Sequence, residues 1–153
     1  MKEKIETDLA RLLKLGVIEP VQTAEFGATP IVPVPKPNGA VQICGDFKVT
    51  VNTYADMQRF PLPHSEELRT ALAGGKIFSK VDLGDAYLQL DVDPESRKYP
   101  VLSTHIGFFR YNRLPFGFHG APAIFQSMIE AILQGLPGII VYFDDIDYRE
   151  EYG

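Results

Sequence analysis

Prolines at alternate positions dominate one stretch of the sequence, residues 29–39, which reads Thr-Pro-Ile-Val-Pro-Val-Pro-Lys-Pro-Asn-Gly. Because proline has no backbone N–H, such a segment cannot form a central strand of a sheet. The Asn38-Gly39 pair that ends it is a strong signal for a tight hairpin turn. The sequence therefore predicts an extended edge segment, a turn and a return strand over residues 41–47.

Apolar residues at helical spacing predict three helices, over about residues 3–15, 65–73 and 122–134. Glycines follow each of them, as is common at helix C-termini. The third helix has a continuous apolar face, and its residues, Met128 among them, are expected to pack in the core. Further strands are predicted over residues 77–82, 88–92, 101–104, 108–113 and 139–143. Helices and strands interleaved in this irregular way indicate an α+β fold.

The composition limits the class of protein. The chain has 153 residues, of which 45% are hydrophobic and 23% charged, as in a globular domain with one core. Cys44 is the one cysteine, so an intrachain disulfide is excluded and a reducing, intracellular compartment is expected. Neither a signal peptide nor a transmembrane segment is expected. The net charge of −5 counts mildly against a nucleic-acid binder, which usually carries a basic face.

Carboxylates stand at the ends of two predicted strands. Asp82 ends the strand over 77–82, and Asp144 and Asp145 follow the apolar run of the strand over 139–143. Three such groups brought together would repel one another unless cations bind there. Mg²⁺ suits the arrangement, because it takes one or two carboxylates and borrows phosphate oxygens from a substrate. Two such ions can clamp the attacking and leaving oxygens of an in-line displacement at phosphorus.

Other interpretations of these residues were compared. An Asp-Asp pair is also common in plain surface turns, and this alternative stays open. An EF-hand loop that began at Asp145 would need glycine at its sixth position, where the sequence has Glu150. A zinc site is poorly supported, because there is one cysteine and the three histidines are widely spaced: His64, His105 and His119.

Four parts of the sequence resemble, in order and spacing, the motifs of reverse transcriptases. They are 33–39 with 43–48 for the fingers hairpin, 78–87 for the first catalytic motif, 114–117 with 121–126 for the nucleotide-pocket loop and the helix behind it, and Tyr142-Phe143-Asp144-Asp145 for the Tyr-x-Asp-Asp box. The particular residues in these motifs are typical of gypsy-class LTR retrotransposons. The resemblance covers residues 8–146, nearly the whole chain.

This resemblance implies an RNA-directed DNA polymerase with the fingers and palm of a right-hand polymerase. It implies an antiparallel palm sheet backed by helices, with the thumb absent and the chain cut off after the Asp pair. The fingers would take about residues 1–60 and 93–121, and the palm about 61–92 and 122–153. Expected partners are an RNA or DNA template-primer and a dNTP, with no membrane, in the cytoplasm or a virus-like particle. The oligomeric state stays open, and the parent polyprotein would also serve DNA integration.

The resemblance also implies roles for individual residues. Asp82, Asp144 and Asp145 would be catalytic and would hold two Mg²⁺ ions, or Mn²⁺, with the Leu83 carbonyl as an extra ligand. Tyr142 and Phe143 would contact the primer, although Phe143 could equally be a buried strand residue. The incoming nucleotide would be bound by Lys36, Asp85, Ala86, Tyr87, Phe116 and Gly117.

Within that nucleotide set, each residue would do something different. Tyr87 would lie under the sugar and exclude a 2′-hydroxyl, and its plain alternative is a core tyrosine. Asp85 and Ala86 would offer backbone N–H groups to the triphosphate, as anion-binding turns do. Lys36 would meet the γ-phosphate, and taken alone it is a solvated surface lysine.

Two departures from the family pattern bear on activity. Gln42 stands where an arginine for the triphosphate is usual, and glutamine has neither its charge nor its bidentate fork. The residues after Asp145 are polar where the family has an apolar strand, so a short, polar return strand is expected. The isolated chain is expected to be weak or inactive as a polymerase. The alternative is a non-catalytic retrotransposon remnant that folds, or binds nucleic acid, without chemistry.

Overall fold

The computed structural model describes residues 1–55, 61 and 63–150 of the chain. The chain forms two compact units, one from Met1–Asp56 and Tyr87–Ala121 and the other from Met57–Ala86 and Pro122–Gly153. The expected boundary between fingers and palm, between residues 60 and 61, adjoins residues that lie outside the described part of the chain. Residues 87–92, expected with the second unit, group with the first. The naming of the units as fingers and palm stays a prediction.

Helices and strands alternate irregularly along the chain, which confirms the α+β prediction. The helices are α1 (Lys2–Lys14), α2 (Val51–Tyr54), α3 (Ser65–Leu72) and α4 (Ala121–Leu133). The strands are β1 (Ile18–Val21), β2 (Thr29–Pro35), β3 (Val41–Gly45), β4 (Ile77–Asp82), β5 (Val101–Thr104), β6 (Gly107–Tyr111), β7 (Ile139–Tyr142) and β8 (Asp145–Glu150).

The first unit contains a five-stranded sheet in the order β1-β6-β5-β2-β3. The proline-rich strand β2 therefore has a neighbour on each side, and its expected edge position is only partly right. It pairs with β5 at Thr29 and Pro30 alone, whereas residues 31–35 pair with β3. Prolines 33 and 35 lie in this second part, where a missing N–H costs no bond to β5. Residues 31–35 and 41–45 thus form a two-stranded ribbon that extends beyond the five-stranded part.

The core of the first unit lies between α1 and this sheet. Its buried apolar residues come from α1, the strands, two 3₁₀ helices and the loop after α1, and they are Leu9, Leu12, Val17, Ile18, Ile43, Phe47, Leu88, Leu102, Phe109 and Tyr111. In β3 the burial alternates strictly, with Val41, Ile43 and Gly45 buried and the residues between them half-buried. The sequence predicted α1 correctly, and Leu9 and Leu12 of its apolar face are buried, whereas Leu13 is exposed.

The second unit contains a three-stranded antiparallel sheet in the order β4-β8-β7. The polar strand β8, expected to be short, has six residues and is the middle strand. Arg149 ties it to its surroundings, because its N–H donates to the Gly138 carbonyl and its Nη1 to the Ala73 carbonyl beyond α3. Backbone pairing on both sides, together with Arg149, holds a strand whose sequence is not apolar. Residues 151–153 lie outside the described part.

The apolar face of α4 is divided between core and solvent. Phe125 is buried, but Ile124, Met128 and Ile132, spaced four residues apart on one stripe, are 43%, 45% and 65% exposed. The expectation that Met128 packs in the core is therefore wrong. Helical spacing identifies an apolar stripe, but it does not say which other element covers the stripe.

The predicted strand over residues 88–92 is also wrong. Residues 86–89 form a 3₁₀ helix, and the Leu90 N–H donates to the Tyr87 carbonyl within that turn. Beyond it, Asp91 makes one isolated antiparallel bridge to Arg113. Alternating polar and apolar residues over five positions fit a 3₁₀ turn with one buried leucine, Leu88, as well as a strand.

Among the helices that the structure describes, none has the length and hydropathy needed to cross a bilayer.

A carboxylate of α1 completes the hydrogen bonding of β3. Strand β3 ends the sheet order, so its outward N–H groups have no strand partner. The Ile43 N–H donates instead to Asp8 Oδ2 at 2.8 Å, and Asp8 Oδ1 accepts from Arg11 Nε at 2.8 Å. Asp8 is 6% exposed, whereas the side chain of its ionic partner Arg11 is half-buried.

Replacing Asp8 by alanine tests this contact. The Asp8→Ala variant leaves the buried Ile43 N–H without an acceptor, and we expect the free energy of unfolding to fall by about 1–3 kcal/mol. Urea denaturation followed by circular dichroism measures the loss. Glu25→Ala, which removes the same charge from an exposed loop of the same unit, should stay within about 0.5 kcal/mol of the parent. Equal losses in the two variants would contradict the role given to Asp8.

Candidate active site

The strand register brings the predicted acidic residues to one end of the second unit's sheet. Asp82, the last residue of β4, lies directly opposite Asp145, the first residue of β8. The Leu83 N–H donates to the Asp144 carbonyl at 3.0 Å, which continues the ladder one step beyond the strand. The backbones of Asp82, Asp144 and Asp145 and the predicted ligand Leu83 are thus neighbours.

Asp144 occupies a two-residue hairpin turn between β7 and β8. Tyr142 pairs with Asp145, so Phe143 and Asp144 are the two turn residues. Phe143 has a φ of 56°, in the left-handed region, whereas Asp144 has no positive φ. This pattern corresponds to a type II′ turn, whose first position usually holds glycine. A phenylalanine there costs on the order of 1–3 kcal/mol, and such strain persists only where surrounding contacts enforce it. Phe143 is therefore a turn residue rather than a buried strand residue.

Gln126 of α4 supplies such contacts. Its side chain is fully buried, its Oε1 accepts from the Phe143 N–H at 2.9 Å, and its Nε2 donates to the Val141 carbonyl at 2.8 Å. Nε2 also lies 2.7 Å from Glu130 Oε1, one helical turn further on. The amide therefore binds the backbone on both sides of Tyr142 and fixes the turn that carries Asp144.

A lysine neutralises one of the carboxylates. Lys80 Nζ lies 2.9 Å from Asp145 Oδ2, on the same face of the sheet as Asp82. The hydrogen bond to Asp145, and then its charge, raise the pKa of Lys80, with smaller contributions from Asp147 and Asp82. Like charges opposite each other on paired strands are destabilising, and Lys80 offsets this between Asp82 and Asp145.

The donor chemistry fits a hard divalent cation, because carboxylates and a backbone carbonyl are the oxygen ligands that Mg²⁺ takes. The side chains are not arranged as a finished site, however. Within residues 1–55, 61 and 63–150, no three carboxylate, imidazole or thiol groups are placed to hold a metal ion. The backbone register brings the acids together, and the side chain of Asp145 is directed to Lys80.

Asp85 and Ala86 follow the sheet on the strand-to-helix turn of the same unit. Asp85 has a φ of 50°, and the 3₁₀ helix begins at Ala86, which is 4% exposed. A left-handed residue next to right-handed ones turns successive N–H groups toward one side, the geometry of an anion-binding nest. The binding of a triphosphate by the N–H groups of Asp85 and Ala86 stays a prediction.

Three of the predicted nucleotide residues lie together in the first unit. The rings of Tyr87 and Phe116 are 5.3 Å apart at their centroids, and Phe116 packs against the core cluster. Gly117 has a φ of +91°, and a Cβ there would collide with the Gly45 carbonyl oxygen. Glycine is therefore required at position 117 both by its backbone conformation and by this close approach.

Lys36 lies elsewhere in the first unit, at the tip of the β2–β3 hairpin. It lines a cavity of about 310 Å³ between this hairpin and α1, whose other walls are Lys4, Thr7, Asp8, Arg11, Asn38, Ala40 and Val41. Tyr87 and Phe116 are not among the residues that line this cavity.

Two residues of the site were missed by sequence reasoning. Gln126 stands in the apolar face of a predicted helix. A polar residue at such a core position itself indicates a specific hydrogen-bonding role. Lys80 lies two residues before Asp82, and side chains two residues apart in a strand lie on the same face. The sequence therefore already placed both on one face of β4.

Gln126→Leu removes the contacts that hold the turn. We expect a loss of about 1–3 kcal/mol in the free energy of unfolding, because the Phe143 N–H and the Val141 carbonyl lose a buried partner. Amide exchange at Phe143 should also become faster. Gln134→Leu makes the same change at an exposed position just beyond α4 and serves as the control, measured by denaturant unfolding and hydrogen exchange. An unchanged Phe143 amide in Gln126→Leu would mean that another contact enforces the turn.

The chain is 41% identical to the uncharacterized protein K02A2.6 of Caenorhabditis elegans, over 94% of this chain and 11% of that protein. It is 35% identical to the retrovirus-related Pol polyprotein from transposon opus of Drosophila melanogaster, over 99% of this chain and 16% of the polyprotein. The chain thus spans less than a fifth of the length of these relatives.

A solved structure shows the same fold. The foamy viral protease-reverse transcriptase in complex with double-stranded DNA matches 99% of this chain and 26% of its own, with a TM-score of 0.86 at 31% identity. The family model described as reverse transcriptase (RNA-dependent DNA polymerase) matches residues 34–148, three quarters of the chain. These matches, together with the paired acids at the end of the β4-β8-β7 sheet, show that the chain belongs to the reverse transcriptase family.

Proposed function

We propose that the chain carries the catalytic carboxylates of an RNA-directed DNA polymerase. In this reaction the 3′-oxygen of a primer attacks the α-phosphate of a dNTP on an RNA or DNA template, and pyrophosphate leaves. The observation that carries the proposal is the register of Asp82 opposite Asp145, with the Leu83 N–H on the Asp144 carbonyl. Phosphoryl transfer depends on positioning and on charge, and a paired sheet end is a rigid place for both.

The metal ligands in this proposal are Asp82, Asp144 and Asp145, with the Leu83 carbonyl as an additional oxygen. Two Mg²⁺ ions, or Mn²⁺, would supply positive charge at the attacking and leaving oxygens. The chain itself contributes the rigid spacing of the carboxylates through β8, and Gln126 keeps the turn of Asp144 in place. The ammonium of Lys80 occupies Asp145 Oδ2, so a metal ion would bind Asp145 through its other oxygen or would take the place of Lys80.

The remaining roles concern the nucleotide and the primer. The N–H groups of Asp85 and Ala86 and the ammonium of Lys36 are proposed to bind the triphosphate. Tyr87, packed against Phe116, is proposed to lie beneath the sugar and to leave no room for a 2′-hydroxyl. Gly117 would line the nucleotide pocket beside Phe116.

Tyr142 and Phe143 would contact the primer end. They project from the hairpin that carries the acids, with ring centroids 4.6 Å apart. A template-primer is supported as the partner, because the foamy viral relative was captured with double-stranded DNA. Within the proposal the first unit is the fingers and the second the palm, the element is of the gypsy class, and the protein works in the cytoplasm or a virus-like particle.

A second candidate function is a remnant that folds or binds nucleic acid without chemistry. It is favoured by the placement of the acids, since within the described residues they are not gathered as a metal site and Asp145 is paired with Lys80. Gln42 in place of the usual arginine favours it too. The two candidates differ in whether the chain binds a dNTP in a metal-dependent way.

Carboxylate substitutions test the proposal directly. We expect Mg²⁺-dependent dNTP binding by the chain, abolished by EDTA and weakened at least about tenfold in Asp82→Asn and Asp144→Asn, because the loss of even an outer partner of a metal costs about 10–100-fold. Fluorescence anisotropy with a labelled dNTP measures the dissociation constants. Single-nucleotide addition to a primer on an RNA template, at high protein concentration, gives a second measurement.

The matched control is Asp147→Asn, on the same strand and the same face but opposite Lys80 rather than at the sheet end. Its dissociation constant should change by less than about threefold, since it alters only a more distant charge. A folded chain whose dNTP binding does not depend on Mg²⁺ would leave the remnant as the better account.

Gln42→Arg tests the departure from the family pattern. Position 42 lies in β3 opposite Val34, on the ribbon that carries Lys36. A guanidinium there can bind a phosphate with two parallel hydrogen bonds, so we expect dNTP affinity to rise by about three- to tenfold. Gln42→Lys restores the charge without the fork and should recover less. No gain in either variant would show that position 42 does not face the triphosphate.

A further inference from the structure

We propose that Lys4 of α1 is a positioning residue, which acts with Asp8 to hold the β2–β3 hairpin so that Lys36 can reach the nucleotide. The inference rests on the proposed function, because it assigns Lys36 its role at the triphosphate. It adds a residue that contacts neither substrate nor metal and that lies about thirty residues before Lys36 in the sequence.

The hairpin needs support from outside its own two strands. The ribbon of residues 31–35 and 41–45 extends beyond the part of β2 that pairs with β5. A two-stranded ribbon is marginally stable in water unless another element packs on it. Helix α1 packs beside β3, with Asp8 accepting the outward Ile43 N–H at the middle of the ribbon.

Lys4 provides the second contact, at the tip. Its Nζ donates to the Gly39 carbonyl at 2.7 Å. Lys4 and Asp8 are one turn apart on the same face of α1, and Gly39 and Ile43 follow each other in the same direction along the hairpin. Four residues rise about 6 Å in a helix but extend up to about 13 Å in a strand. The long stem of Lys4 covers the difference.

The tip itself is internally ordered. The Lys36 N–H donates to the Ala40 carbonyl, the Gly39 N–H to the Lys36 carbonyl, and the Ala40 N–H to Asn38 Oδ1. Any movement of Gly39 therefore moves Lys36 with it. A bond from Lys4 to the Gly39 carbonyl fixes the direction in which the Lys36 side chain leaves the hairpin.

Charge also favours a positional role. Lys4, Arg11 and Lys36 line the same cavity, and Asp8 is the carboxylate on its wall. Lys4 is held by a carbonyl and Arg11 by Asp8. Of these three cations, Lys36 is the one proposed to bind the triphosphate. Lys4 and Arg11 are proposed to hold the hairpin in place.

The test uses Lys4→Met, which keeps the stem of the side chain and removes the donor. Lys2→Met removes the same charge two residues earlier on α1 and is the control, and Lys4→Arg keeps a donor and should restore the parent behaviour. In the free chain, amide exchange at Lys36, Gly39 and Ala40 should be at least about tenfold faster in Lys4→Met and unchanged in Lys2→Met. Unchanged exchange in Lys4→Met overturns the inference.

A double-mutant cycle then asks whether Lys4 acts through Lys36. The dissociation constant of Mg²⁺-dNTP should rise about three- to tenfold in Lys4→Met and should not rise further when Lys4→Met is added to Lys36→Met. A direct contact of Lys4 with the nucleotide would give additive effects, and this result overturns the positional role. If the parent chain binds no dNTP, the proposed function fails and the inference fails with it. If the parent binds and Lys36→Met weakens binding while Lys4→Met does not, the inference alone fails.

Discussion

The pairing register of β4 on β8 is the constraint on which the site depends. Side chains alternate between the two faces of a strand, so a slip of one residue would move Asp82 and Asp145 to opposite faces of the sheet. In the observed register they stand opposite each other, with Asp144 on the adjoining turn. Because β8 lies between β4 and β7, hydrogen bonds on both of its edges fix this register. The polar sequence of β8 is tolerated because backbone pairing on two sides does not require apolar side chains.

The turn at the end of this sheet combines strain with support. Phe143 takes a backbone conformation that favours glycine, and Gln126 binds the backbone before and after Tyr142. A buried amide destabilises a core unless its donor and its acceptor both find partners. The Gln126 amide is therefore stable only in the geometry that supplies these partners. The helix α4 therefore does more than cover the sheet: it determines where Asp144 lies.

Charged groups are clustered within each of the two units. The sheet of the second unit brings carboxylates together, and Lys80 offsets the charge of Asp145. In the first unit, Lys36 of the hairpin and Lys4 and Arg11 of α1 line one cavity, and the buried carboxylate of Asp8 lies among them. Each unit thus combines charges of both signs, so the net charge of −5 describes neither group of charges by itself.

Some features followed from the sequence alone. Proline chemistry predicted the extended segment and the Asn38-Gly39 turn, helical periodicity predicted α1, and the motif spacing predicted the family. These rest on local backbone preferences and on the order of residues, which the sequence contains directly. The strand over 88–92 failed, because five alternating residues fit a 3₁₀ turn as well. The burial of Met128 failed, because periodicity does not identify the covering element.

Tertiary structure decided the rest. The central place of β8, the Gln126 clamp and the pairing of Lys80 with Asp145 depend on contacts between residues distant in the chain. The residue types indicate which chemistry is possible, since carboxylates can bind metal ions and lysines can bind phosphates at any position in the sequence. Pairing and packing decide which of these groups meet, because strand register and helix contacts are set by the whole fold and not by any short segment.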